Sequence, residues 1–373
     1  MNNDKVKYTF HGLMDMAGIK VNGPRPYDIQ VKNDNLYQRV LSKAALGLGE
    51  SYMDQWWECK ALDRFIDKIL RADLVNKIRQ DWNTTWEILK ARIINLQKPD
   101  RAFMVGQKHY DVGNDLYQAM LDKRMQYTCG YWEAADTLES AQKAKLELVC
   151  RKIGLKPGMK VLELGCGFGG FARYAAQKYD AHVTGFTVSR EQAAFSKKQC
   201  RGLPVDIRLD DYRNASGLYD RVVSIGMMEH VGYKNYRAYM ELTNRLLKDE
   251  GIAFVHTIGS NVSRKICNPW TVKYIFPNSS LPSIAFLGKA MEGLFVVEDW
   301  HNFGEDYDKT LMAWHENFKK AWPGLKEKYD ERFYRMWTYY LLSCAGGFRS
   351  RSMQLWQIVM TKPGRTRPDC RIN

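Results

Sequence analysis

The chain of 373 residues is 45% hydrophobic and 26% charged, and its 56 basic against 42 acidic side chains give a net charge of +14. That composition describes a globular protein with room for two domains, and it excludes a disordered chain, a collagen and a disulfide miniprotein. The basic excess asks for an anionic partner, either nucleic acid or an anionic membrane surface.

No run of about 18 uncharged apolar residues occurs, so no transmembrane helix is expected. The N-terminal stretch Met1 to Leu13 lacks an apolar core before a small-residue cleavage site and does not read as a secretory signal. The cysteines, at positions 59, 129, 150, 166, 200, 267, 344 and 370, form no C-x-x-C pair. That argues against a zinc site and a disulfide framework and fits a reducing cytoplasm. Aromatic residues make up 13% of the chain and gather in clusters such as Tyr52–Trp56–Trp57, Tyr131–Trp132 and Trp337–Tyr339–Tyr340. Amphipathic rings suit a boundary between apolar and polar material, and ordinary core packing accounts for any single one equally well.

In chain order, Leu62, Phe65, Ile66, Ile69, Leu70, Leu74 and Ile78 recur at helical spacing, supported by the pairs Asp67/Arg71 and Asp73/Lys77. This stripe reads as the core face of a small, mainly helical N-terminal domain, with a membrane-facing helix as the alternative. A second helical stretch from Trp82 to Arg101 breaks at Lys98-Pro99-Asp100, which predicts an accessory domain over 1–95 and a catalytic domain over 96–373. A charged helix over 140–153 and a Lys156-Pro157-Gly158 turn then lead into a short strand, 160–164. Strands at 182–187, 204–209, 220–225 and 252–258 follow, with helices at 189–200 and 234–248 between them. The alternation predicts an α/β fold with a doubly wound, mostly parallel sheet. Beyond about residue 349 the chain turns basic and polar and is expected to end as a frayed tail.

The strand at 160–164 runs straight into Gly165-Cys166-Gly167-Phe168-Gly169-Gly170, a match to G-x-G-x-x-G. A dinucleotide would need an acid about 20 residues on, and the next strand ends instead in Gly185-Phe186-Thr187. Glu163, just before the loop, would repel a pyrophosphate and suits a cationic ligand without phosphates. S-adenosylmethionine, with its sulfonium and ammonium groups, is such a ligand; a bare tight turn is the alternative. In doubly wound sheets ligands sit beyond the carboxyl ends of the strands. That rule nominates Thr187, Ser189 and Gln192 for the ribose, Asp211 and Tyr212 for the adenine, then Glu229, His230 and His256 to Gly259. His256 reads equally well as a satisfied core histidine.

The stretches MQYTCGYW (125–132), ELGCGFGG (163–170), SIGMMEHVG (224–232), FVHTIGS (254–260), YIFPN (274–278), EDWHNFGEDYDKTLMAW (298–314) and LWQIV (355–359) resemble the cyclopropane-fatty-acyl-phospholipid synthases. LGLGESYMDQWWEC (46–59) resembles the phospholipid-acting bacterial members. The resemblance implies a Rossmann-like class I methyltransferase domain that adds a methylene carbon from S-adenosylmethionine to a cis double bond of a phospholipid acyl chain. Cofactor contacts would fall on Tyr127, Thr128, Glu163, Gly165, Cys166, Gly167, Gly169, Thr187, Ser189, Gln192, Asp211 and Tyr212. Phe168 stands where many members carry Trp. A bicarbonate ion, acting as base, would be held by the side chains of Glu229, His256 and Tyr307 and the backbones of Cys129 and Ile258. Cys344 matches a cysteine assigned to the active site, and no metal is implied.

An isolated alkene is a weak nucleophile, and methyl transfer to it leaves a carbocation that water would quench. Tyr307, Trp132 and Phe303 are candidates to stabilise that cation through their ring faces. The insertion around 262–290, with Trp270, Tyr274, Phe276, Leu281 and Phe286, is expected either to line the acyl entry or to pack as a subdomain. Unsaturated phospholipid in a bilayer is the expected partner, reached from the cytoplasmic face of the membrane through the basic charge. The separate N-terminal domain makes a homodimer the expected assembly. Two rivals remain. One is another methyltransferase on this fold, acting on acyl chains or nucleic acid, although the fourth strand ends in GMMEH and lacks the N/D-P-P-Y/F signature of amino-directed nucleic-acid methylation. The other is a membrane-surface binding module without catalysis.

Overall fold

The computed structural model describes residues 3–74, 113–264, 267–277 and 279–372. The expected helix at Trp82 to Arg101, the far end of the preceding stripe and the expected boundary at 95/96 lie outside them. Two compact units are present. One takes the described residues within Met1–Leu116 together with Cys267–Pro277 and Trp314–Ser352; the other takes Tyr117–Ile266, Asn278–Ala313 and Met353–Asn373.

The first unit is therefore not built from N-terminal residues alone. Its helix Leu62–Arg71 buries Leu62, Phe65 and Ile66 of the predicted stripe, but Ile69 is half-buried and Leu70 exposed, so only the first part of the stripe is core; Arg71 pairs with Asp67 at 2.7 Å. The partner face comes from the distant helix Glu331–Arg349, where Gly346 has no room for a Cβ against the Asp63 carbonyl and the Asp67 amide. Tyr52, Trp57, Trp337, Tyr339 and Tyr340 are all buried in this unit, so those aromatic clusters are core. Arg335 lies 4.0 Å from the Tyr52 ring and pairs with Glu58 across a small antiparallel ladder of β1 (Gln30–Val31) and β2 (Trp57–Glu58). Of the 262–290 insertion, Trp270 packs here with its ring 4.7 Å from Tyr339, whereas Phe286 belongs to the other unit and stacks on Tyr233. Packing is what the structure records for both.

The second unit carries a sheet of seven strands: β3 (Lys160–Leu164), β4 (His182–Thr187), β5 (Val205–Leu209), β6 (Tyr219–Ile225), β7 (Leu247–Gly259), β8 (Val296–Asn302) and β9 (Gln354–Thr361). Their order is β5-β4-β3-β6-β7-β9-β8. The strands from β5 through β7 run parallel, while β9 pairs antiparallel with β7 and β8 antiparallel with β9. This is the expected doubly wound α/β sheet, with two C-terminal strands that the alternation pattern does not announce. The strand order reverses between β3 and β6, and the carboxyl ends of the strands at such a switch are where doubly wound sheets bind ligands. Helices cap where the sequence provides oxygens: Thr137 and Ser140 form a reciprocal cap on Leu138–Lys152, and Ser189 caps Arg190–Gln199. The C-terminal tail is not frayed as expected. Cys370 is buried, Lys362 and Arg365 reach Asp249 and Glu250, and Arg371 donates to the Glu298 carbonyl. Among the described residues no helix is long and apolar enough to cross a membrane.

Candidate active site

The glycine loop follows β3 into the helix Gly170–Tyr179 with Gly165, Gly167 and Gly169 at φ 80°, 52° and 73°, a left-handed run that L side chains resist. A Cβ at Gly169 would meet Ser196, so helix Arg190–Gln199 packs hard on that side. A Cβ at Gly167 would stand in open space, which leaves the backbone there approachable. Cys166 is buried, its amide on the Phe186 carbonyl at 2.8 Å and its thiol pushed up by burial.

Glu163 is buried with Oε2 lacking any hydrogen-bond partner. Burial lifts its carboxyl to about 8, against the opposing pull of the Lys145 charge. Lys145 itself is fully buried and donates to the Gln126 side-chain oxygen and, at 2.9 Å, to Thr128 Oγ1. Gln142 adds a bond to the Thr128 carbonyl at 2.7 Å. The segment carrying Tyr127, Thr128 and Cys129 is thus pinned to the helix Leu138–Lys152 at two points. Lys145 was not singled out from the sequence, because its helix reads as charged and solvated. Its spacing of four from Ala141 and four from Val149, both buried, was the available signal.

At the end of β4, Thr187 Oγ1 bonds Gln192 at 3.0 Å and accepts from the Ser189 amide, and Ser189 Oγ accepts from the Gln192 amide. These three nominees form one cluster. After β5, the Asp211 carboxylate is held below its ordinary range by side-chain hydrogen bonds from Arg213. Tyr212 lies half-buried with its ring 5.6 Å from Tyr239.

After β6 the short helix Met228–Val231 turns Glu229 inward and leaves His230 exposed. Glu229 Oε1 accepts the Ile258 amide at 2.6 Å, whereas Oε2 is buried without a partner, and desolvation raises the carboxyl to about 7. His256, on β7, is buried; its Nδ1 faces the Gln357 side chain at 3.4 Å and its Nε2 has no partner. Burial, with the positive charges of Lys145 and Lys152, holds its pKa well below the usual value, so the ring is neutral. Phe303 lies edge-on to His256, 6.0 Å away, and also packs against Tyr131 and His301.

Cys129 is buried, its thiol kept protonated chiefly by desolvation. Next to it, the Gly130 amide and the Trp132 indole N–H both donate to Thr310 Oγ1, at 3.1 and 2.9 Å, and the Trp132 amide donates to Asp306 at 2.7 Å. Asp306 and Thr310 flank the buried Tyr307 near the start of the helix Glu305–Leu325, so Thr310 joins the Cys129 and Tyr307 segments. Sequence reasoning also missed Thr310. Cys344 belongs to the other compact unit, and burial pushes its thiol up to about 12. Every other nominated site residue lies in the sheet unit. Among the described residues no group of three His, Cys, Asp or Glu side chains is arranged to hold a metal ion.

A family model of mycolic acid cyclopropane synthetases matches residues 97–358. The chain is 54% identical over 350 residues to a cyclopropane-fatty-acyl-phospholipid synthase of Escherichia coli K12, covering 94% of this chain and 92% of that protein. It is 37% identical over 270 residues to a probable fatty acid methyltransferase of Pseudomonas putida, 68% of each chain. Among solved structures, the mycolic acid cyclopropane synthase CmaA1 complexed with SAH and CTAB superposes with a TM-score of 0.64 at 31% identity, over 69% of this chain and 97% of that one.

Proposed function

The chain belongs to the mycolic acid cyclopropane synthetase family, and from that membership we propose that it adds a methylene carbon to the cis double bond of unsaturated acyl chains in membrane phospholipid, forming cyclopropane fatty acids. It is an S-adenosylmethionine-dependent methyltransferase. The phospholipid substrate is supported by the 54% identity to the Escherichia coli enzyme over nearly the whole chain.

The residues present fit two small groups. The approachable backbone at Gly167 and the buried, unpartnered oxygen of Glu163 suit S-adenosylmethionine, a cationic ligand without phosphates. When bound it supplies an electrophilic methyl carbon. Glu229 Oε2 and His256 Nε2, both buried and lacking partners, suit a small oxyanion that both donates and accepts hydrogen bonds. Bicarbonate answers that description and supplies a base that is itself a weak nucleophile.

The residues have four tasks. Lys145 and Gln142 fix the segment bearing Tyr127 and Thr128, and a fixed wall of this kind would help to orient donor and alkene for attack. In methyl transfer the alkene's electron pair would form the new C–C bond as the donor's C–S bond breaks and the thioether leaves, so that one alkene carbon becomes cationic; Tyr307, Trp132 and Phe303 would offer ring faces to it, worth about 2 kcal/mol when desolvated. Glu229, His256 and Tyr307, with the Cys129 and Ile258 backbones, would hold the base, whose chemistry is to accept the proton that the new methyl group loses on ring closure. The buried thiols of Cys129 and Cys166 stay protonated and so do not compete for the methyl group. The enzyme works at the inner face of the cytoplasmic membrane, drawn there by its basic charge.

The observation that carries this reading is the pair of orphaned polar atoms on Glu229 and His256 in a glycine-loop methyltransferase fold. Incubation with S-adenosylmethionine and vesicles of unsaturated phospholipid, followed by mass spectrometry of the acyl chains, tests it. A gain of one CH2 that survives hydrogenation as a ring is expected. A methyl-branched product would move the chain toward the fatty acid methyltransferases, and no gain with cofactor binding intact would overturn the assignment.

A further inference from the structure

His256 is neutral in this site, and a neutral imidazole carries one N–H. Which nitrogen bears it decides whether the free Nε2 meets a ligand as donor or acceptor. His256 on β7 stands directly opposite Gln357 on β9, so both side chains rise from the same face of the sheet. Gln357 is fully buried, its side-chain nitrogen is 3.4 Å from His256 Nδ1, and its oxygen has no partner. The imidazole also packs edge-to-face with Phe303, a ring that offers no competing acceptor.

We propose that Gln357 is a positioning residue for the reaction: its amide N–H donates to His256 Nδ1 and so fixes the tautomer whose proton sits on Nε2, aimed into the site. With the reverse tautomer, Nε2 would present a lone pair to any anion bound beside it. A neutral ring cannot donate from both nitrogens, and burial of the imidazole, helped by the ammonium groups of Lys145 and Lys152, holds off the second proton that would make the choice irrelevant. Gln357 therefore turns His256 into a hydrogen-bond donor without charging it. The catalytic consequence rests on the reading of this site as an anion site; the tautomer does not.

The test uses the full-length chain labelled with 15N in its seven histidines. Long-range 1H–15N spectra report the protonation of each ring nitrogen, and the signal lost in His256→Asn assigns the residue. The wild-type spectrum should show a bare Nδ1 and a protonated Nε2. Gln357→Glu replaces the donor with an acceptor of the same shape, and should invert the tautomer, lower turnover about 10- to 100-fold and leave S-adenosylhomocysteine affinity within about twofold. A wild-type proton on Nδ1 would overturn the proposal even if the variant does not fold, as would an unchanged tautomer in a folded Gln357→Glu. An inverted tautomer with unaltered turnover would also overturn the role, and would indict the anion reading rather than the hydrogen bond.

Discussion

The Glu229 carboxylate accepts the backbone N–H of Ile258 at 2.6 Å, an arrangement that commits one oxygen and leaves the other buried with no partner. Ile258 lies two residues beyond His256 on the same strand, so the bond ties the short helix after β6 to the strand that carries the imidazole. Glu229→Gln keeps an oxygen for Ile258 and removes only the carboxylate character of the free position. Turnover should fall about 100-fold or more, the scale on which removal of a transition-state contact is felt, while S-adenosylhomocysteine affinity stays within about twofold. Steady-state kinetics beside calorimetry check this. Equal losses in both would assign Glu229 to the cofactor instead.

The glycine loop, the five parallel strands and the inward side chain at 229 follow from local pattern, because each sits at a strand end where the chain must turn. Lys145, Thr310 and Gln357 were not legible in that way. A lysine among charged neighbours, a threonine in an amphipathic helix and a glutamine in a strand declare their roles only when a distant segment comes to rest on them. The same reason hid the makeup of the N-terminal unit: helix Glu331–Arg349 packs on Leu62–Arg71 from more than two-thirds of the chain away, and no composition shift marks the join. The two antiparallel strands β8 and β9 are separated by two long helices, Glu305–Leu325 and Glu331–Arg349, and so break the alternation of one strand with one helix that flags the others. The basic residues of the tail read as solvent-facing in the sequence, yet three of them reach the sheet unit's Asp249, Glu250 and the Glu298 carbonyl.

Glu163 provides a pH signature. Its carboxyl is raised from 4.5 to about 8 by burial. A raised acid contributes stability that is full below its unfolded value and is lost as pH climbs through the folded one. The ligand-free protein should therefore lose stability between about pH 4.5 and 8 through this residue. Glu163→Gln, always neutral, should lose less over that interval. Thermal melts of both proteins at the two ends check the sign. Binding a cation beside Glu163 favours its ionised form, so cofactor affinity in the wild type should tighten with rising pH and the variant should respond less. Parallel melting curves and parallel affinities would remove Glu163 from the cofactor site.

Cys344 separates family habit from local chemistry. A catalytic thiol works as a thiolate, and burial holds this one protonated up to about 12. It also lies in the compact unit that contains none of the other nominated site residues. Cys344→Ser should keep turnover within about threefold, with any shortfall matched by a drop in melting temperature, the pattern of a packing residue. A loss of about 100-fold or more in a stably folded variant would restore the thiol to the mechanism.

The net charge of +14 makes a prediction about the encounter with lipid. Basic residues near an anionic surface contribute about 1 kcal/mol each, and that attraction shrinks as the Debye length falls from about 10 Å at 0.1 M salt to about 3 Å at 1 M. The large aromatic residues Trp57, Trp270, Trp337 and Tyr339, which would anchor a hydrophobic insertion if exposed, are buried in the core. Co-sedimentation with vesicles containing anionic phospholipid should therefore weaken steeply with added salt, and vesicles of zwitterionic lipid alone should retain little protein at any ionic strength. Binding that ignores salt would mean that apolar contacts, rather than the basic surface, bring the enzyme to its substrate.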